Sequence, residues 1–315
     1  MKKSTFILIA TFVALATIAE SSHGERPVEG ELKPFLGAPH MEMEQVFQEQ
    51  RFPNIVVTMD GTILASFGSS EVMVRRSTDG GATWGPSISI AKPGFQGGGM
   101  TVDETNGDIL AFVEEKHPPA PLAVYRSSDD GKTWTRQETT IHADKNGHVP
   151  SMHMNDHGIT LRHGKHKGRL VRPSRHYGKV NSREEWPNHY TNAIYSDDGG
   201  KTWHASDPFP ENGTGEAAVA ELSDGRIYYN SRVHWQERPR NTRRRSAISH
   251  DGGKTWQDWQ IVDVLPDGHQ HRSYGCMGGL VRLPVAGQDV LIYSNLDTPA
   301  AKRERISLWA SFDGG

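Results

Sequence analysis

The chain has 315 residues, enough for a large core, and its formal net charge of −3 gives no electrostatic case for a nucleic-acid partner or an anionic membrane surface. Cys276 is the only cysteine, which excludes an internal disulfide.

Met1-Lys2-Lys3 and the apolar run from Phe6 to Ile18, with small residues at Thr17 and Ala19, have the form of a secretory signal over residues 1–19. That run is short for a bilayer span, so the expectation is a secreted or periplasmic protein without stable membrane insertion. Residues 20–40, with Ser21, Ser22, Gly24, Pro27 and Gly30, read as a linker, and 41–315 as one domain. Met41 to Gln48 alternates weakly and is predicted to be a strand. Five hairpins follow. They run Asn54–Met59 to Thr62–Phe67 across Asp60-Gly61, and Met100–Asp103 to Ile109–Val113 across Asn106-Gly107. The next three are Gly158–Leu161 to Gly168–Val171, Ala217–Leu222 to Arg226–Asn230, and Gly279–Leu283 to Val290–Ser294.

An octet punctuates these hairpins. Ser77-Thr78-Asp79-Gly80-Gly81-Ala82-Thr83-Trp84 recurs from Ser127, Ser196 and Ser249, and a partial copy runs from Ser311 to Gly315. Such spacing marks a repeat architecture with one supersecondary unit per period. Within each copy the Asp can accept backbone N–H groups, the Gly two places later permits a positive φ, and the Trp buries a large ring. The copies lack the alternating carboxylates and distal Glu of a calcium loop, so they read as structural turns.

Ser-x-Asp-x-Gly-x-Thr-Trp resembles the Asp-box, or bacterial neuraminidase repeat, of the sialidase superfamily. The resemblance implies an all-β, six-bladed β-propeller, with residues 41–48 as the ring-closing strand and the sixth blade missing through truncation. It also implies a site on the central axis. Arg51-Phe52-Pro53 is similar to the Arg-Ile-Pro signature and makes Arg51 the first of three arginines that grip the substrate carboxylate. Glu216, then Val219-Ala220-Glu221-Leu222 and Asn230-Ser231-Arg232, follows the family pattern in which Glu216 activates a nucleophilic Tyr and Arg232 is the second arginine. Arg303 falls where the third stands, with Arg305 as the fallback. Planar guanidinium forks suit a carboxylate, and that carboxylate would repel an acidic nucleophile, which is why a Tyr serves there.

Two departures from the pattern bear on mechanism. No Asp follows the first hairpin to act as acid/base, and Glu71 at that place reads as a solvated strand-edge residue. The Tyr belongs to the sixth blade, so none is assigned by matching. His153 is the expected substitute acid/base, because imidazole titrates near neutrality. His163 and His166 read as part of a solvated basic hairpin, and Phe95 to Gly99 as a loop that brings backbone close to the axis; no metal or cofactor is expected. The function expected is an exo-sialidase-like glycoside hydrolase that removes terminal acidic sugars from a glycan or glycoconjugate. Its alternatives are a hydrolase or lyase for uronate-bearing polysaccharide and a non-catalytic carbohydrate-binding propeller.

Overall fold

The computed structural model describes residues 42–48, 51–178, 182, 184–234, 242–268, 275–285, 287–298 and 303–315. The expected signal and linker, residues 1–40, lie outside them. Five sheets succeed one another along the chain, each in essentially sequential strand order. The first holds β1 (Asn54–Val57), β2 (Ile63–Phe67), β3 (Val72–Ser77) and β4 (Ile88–Ala91). In the second, β5 (Phe95–Gln96) and β6 (Thr101–Val102) pair with β7 (Ile109–Glu114), followed by β8 (Leu122–Ser127) and β9 (Thr135–Gln137). The third runs from β11 (Ile159–Thr160) through β12 (Leu170–His176) and β13 (Tyr190–Ser196) to β14 (Thr202–Ala205), with β10 (Thr140–His142) added parallel to β14. The fourth is β15 (Thr214–Glu221), β16 (Ile227–Val233), β17 (Arg243–Ser249) and β18 (Gln257–Pro266). The fifth is β19 (Gly279–Val285), β20 (Gln288–Leu296) and β21 (Ile306–Ser311).

The innermost strands adjoin in turn: β1 meets β6, β6 meets β11, β11 meets β15 and β15 meets β19. Sheets stacked through their inner strands in this way are blades around an axis. Each hairpin read from the sequence forms the first two strands of a blade. The described residues make five blades where six were expected of the fold. Residues 42–48 form no strand. Phe47 instead stacks on Phe67 of blade one at 4.0 Å, and the Val46 carbonyl accepts the Arg75 guanidinium, which takes this segment to the first blade.

Four apolar cores fill the four interfaces between successive blades. Between blades two and three, Leu110, Phe112, Leu170, Ile194 and Trp203 are all buried. Each such side chain contributes about 1.5–3 kcal/mol by leaving water.

The octet closes these interfaces. In all four full copies the Ser hydroxyl donates to the Asp at 2.7–2.8 Å and accepts the N–H of the Gly four residues on at 2.8–2.9 Å. The Thr N–H donates to the same Asp at 2.9–3.0 Å. Hydrogen bonds from Thr83 hold the Asp79 carboxyl down at about 2. At Asp129 burial pushes the other way, yet the Thr133 and Ser127 bonds still bring it to about 2.

The octet glycine abuts the preceding blade. A Cβ on Gly131, Gly200 or Gly253 would lie 3.0, 2.5 or 3.1 Å from Leu64, Leu110 or Val171, each on the second strand of the blade before. Arg76, Arg126 and Arg169 reach forward from one blade to carbonyls of the next octet, at Asp130, Gly199 and Gly252. Trp203 and Trp256 are buried, whereas Trp84 and Trp134 are half-buried.

The segment Met152–His157 pins the blades at the axis. Asp156 accepts Asn54 Nδ2 of blade one at 3.0 Å and the Leu280 N–H of blade five at 2.9 Å, and its own N–H donates to Ala217 of blade four. Burial pushes its carboxyl up, but the His157 charge and the His157 and Leu280 hydrogen bonds outweigh that and hold it below the ordinary range. The loop Gly97-Gly98-Gly99 does approach closely: a Cβ on Gly99 would fall 2.4 Å from the His157 nitrogen, and one on Gly97 2.4 Å from the Phe112 carbonyl oxygen.

Candidate active site at the hub

A bulge in β15 between Thr214 and Ala217 breaks the register against β16 and carries Glu216. Glu216 Oε2 meets Arg232 Nη1 on β16 at 2.6 Å, and both side chains are 1% exposed. Arg232 Nε also lies 3.8 Å from Asp267 Oδ1. That same oxygen is 3.4 Å from Nη1 of Arg244, which bonds Asn230 Oδ1 at 2.8 Å and the Glu216 carbonyl at 3.2 Å. Burial works against the Arg232 charge, but Glu216 and Asp267 more than offset it and raise the guanidinium's pKa.

Arg303 approaches from blade five, where its Nη2 donates to the Gly275 carbonyl at 3.4 Å. The neighbouring Cys276 thiol is pushed up by burial, with the Arg303 and Arg232 charges opposing and the Glu216 charge adding. Arg303, Arg232 and Glu216 therefore share one neighbourhood. Arg51 stands on another wall. It is exposed just before β1, with its guanidinium 4.5 Å over the Phe52 ring.

The Phe52 ring packs 4.8 Å from His153, which also contacts Phe95 at 4.7 Å and His117 at 4.9 Å. His153 is 1% exposed, and burial, with the Arg175, His117 and Arg51 charges, holds its pKa well below the ordinary value. The same burial and positive charges favour the neutral ring and oppose its protonation. Tyr177 joins the two walls: its ring is 6.1 Å from His153, and its buried hydroxyl, raised in pKa by burial, feels the charges of Glu216 and Arg232. Glu71 points elsewhere, bonding Lys92 at 2.9 Å on the surface of blade one. Arg305, also exposed, precedes β21.

Several residues of the hub were given no role by the sequence. Arg172 and Arg175 on β12 and Arg244 on β17 are fully buried, as are Asp267, Glu114 and His189. The available signal was arginine in the middle strands of blades, where both sheet faces are covered. Together Arg51, Arg172, Arg175, Arg232, Arg244 and Arg303 set six guanidiniums against the four carboxyls of Glu114, Asp156, Glu216 and Asp267. Asp156 is already engaged by His157. Such a surplus of oriented cations draws an anion. Among the described residues no three His, Cys, Asp or Glu side chains come together as metal ligands.

The BNR repeat-like domain family matches residues 67–315. The chain belongs to that family. It is also similar to a sialidase of Micromonospora viridifaciens, 29% identical over 99% of this chain and 53% of that protein, and to a sialidase of Bacteroides fragilis, 29% identical over 84% and 53%. This BNR-repeat chain thus spans about half the length of these curated relatives. Among solved structures, a Hadza microbial sialidase superposes with a TM-score of 0.63 at 26% identity, over 84% of this chain and 57% of that one. The intramolecular trans-sialidase of Ruminococcus gnavus, at TM-score 0.66 and 14% identity over 85% and 81%, shares the fold.

Proposed function

We propose that the hub binds the carboxylate of a terminal acidic sugar and that the protein is an exo-sialidase-type glycoside hydrolase acting on glycoconjugates. The observation that carries this reading is the buried Glu216–Arg232 pair with Arg303 beside it, facing a wall that holds Arg51. In the proposed site, Arg51, Arg232 and Arg303 grip the carboxylate. Glu216, paired with Arg232 at 2.6 Å, is the base for an attacking hydroxyl. His153, held in its neutral form by burial and neighbouring cations, lines the Arg51 wall as the candidate that stands in for the missing Asp. Similarity to sialidases over 99% and 84% of this chain supports the same substrate class. We propose further that the protein is exported and that its ring has six blades. The outer face of blade one supports the second point: a Cβ on Gly81 would meet only Ile63 of its own blade, at 3.9 Å, whereas the later octets abut a preceding blade.

Release of a fluorescent aglycone from a sialoside, set against a panel of uronides, tests the reading. Turnover of the sialoside alone is expected; turnover confined to uronides would move the assignment to uronate chemistry. Binding of glycans without turnover in either assay would make the hub a lectin-like site.

A further inference from the structure

The hub holds more cationic groups than one carboxylate needs. Arg175 on β12 is 1% exposed, and its Nε and Nη1 have no hydrogen-bond acceptor among the described residues. Its Nη2 lies against Gly215, where a Cβ would fall 2.8 Å away, so the guanidinium reaches the residue next to Glu216. The Tyr177 ring covers one face of it at 4.2 Å. Arg172 is 0% exposed, bonds the Gly97 carbonyl through Nη2 at 3.1 Å, and also leaves Nε and Nη1 without acceptors. His189, 5.3 Å from Tyr177, is buried at the edge of this cluster beside the Tyr177 backbone. The charges of both arginines act on the Glu114 carboxyl. Its Oε1 accepts the Ser151 hydroxyl and the Met152 N–H, and its Oε2 has no partner. Burial raises it to about 7 against the pull of those bonds and both arginines, so near neutrality it is only a fractional counter-charge. Buried donors and charges without partners are costly, and a ligand supplying the missing acceptors removes that cost.

We propose that Arg175, backed by Arg172 and bordered by Glu114, His189 and Tyr177, forms a second acidic-group subsite. It receives a second anionic oxygen group of the ligand: carboxylate, sulfate ester or phosphate ester. The inference rests on the hub reading for the ligand's first carboxylate, and it narrows the substrate class to glycans with two acidic groups.

Calorimetric titration of the full chain with D-glucuronate, inorganic sulfate and inorganic phosphate tests it, and the tightest binder identifies the second group. Two anion sites are expected. Arg175→Gln removes one, weakening it at least tenfold, about 1.4 kcal/mol, while Arg303→Gln weakens only the other. Arg175→Lys, checked for native circular dichroism, serves if the Gln variant does not fold, and retains the site with reduced affinity because the charge persists without the planar fork. A single site removed by Arg303→Gln, or two sites that neither Arg175 variant alters, overturns the proposal. Loss of a site in Arg175→Gln with no effect of Arg303→Gln leaves this subsite standing and sinks the carboxylate role of Arg303 instead.

Discussion

Arg232→Met and Glu216→Gln remove opposite halves of one buried ion pair, yet the structure predicts unequal costs. In Arg232→Met the Glu216 carboxylate stays buried and loses its 2.6 Å guanidinium partner. Removing one member of a buried pair costs about 3–5 kcal/mol through the uncompensated charge. In Glu216→Gln the Arg232 charge keeps Asp267 at 3.8 Å, so the loss is closer to that of one charge-assisted hydrogen bond, about 1.5–3 kcal/mol. The double variant carries no orphaned Glu216 charge and is expected to be more stable than Arg232→Met alone by about 1 kcal/mol or more. Guanidinium chloride unfolding followed by tryptophan fluorescence measures all three, with an unchanged m-value as the check that stability moved. A reversed order of the two single variants, or a cost below about 1 kcal/mol for Arg232→Met, would refute the reasoning.

Trp203→Ala, which empties a fully buried indole site and removes its 3.0 Å bond to the Gly200 carbonyl, is expected to cost about 3–5 kcal/mol. The equivalent Trp84→Ala, at a half-buried position, costs clearly less by the same denaturant assay. His189 and His176 are depressed to about 4, mainly by burial. Their neutral burial favours folding above about 6.5, the ordinary imidazole value, and that contribution is lost as pH falls from there through 4. Melting temperature should fall across that window, and less steeply in His189→Gln. Glu114 has the opposite sign. Raised to about 7, its contribution is present below the ordinary carboxyl range and is lost as pH rises through 7, so Glu114→Gln should gain on the parent at pH 8 relative to pH 5. Gly99→Ala, whose Cβ would meet the His157 nitrogen at 2.4 Å and Asn54 Oδ1 at 2.5 Å, is expected to lower the melting temperature markedly.

What could be read in the sequence was local. The octets and hairpins are self-contained in hydrogen bonding, so their residues announce both the turn and its place in the blade. Glu216 and Arg232 were legible for the same reason, since one hairpin carries both. The bonds that assemble the hub join distant residues: Asn54 to Asp156 across 102 positions, and Asp156 to Leu280 across 124. No spacing rule reaches that far. Arg175 and Asp267 sit outside any motif, and their roles come from which strands happen to face the axis. The alternation in residues 41–48 misled because it is equally compatible with an irregular segment anchored by one ring, as Phe47 does on Phe67. His153 was placed correctly in the loop before an inner strand, but its aromatic enclosure, which fixes it as neutral, involves rings from two other blades.

Calorimetric titration of the full chain with N-acetylneuraminate tests the hub as a carboxylate site most directly. The account predicts saturable binding that Arg51→Gln and Arg303→Gln each weaken at least tenfold, about 1.4 kcal/mol. Binding of equal strength in both variants, or none by the parent chain, would contradict it.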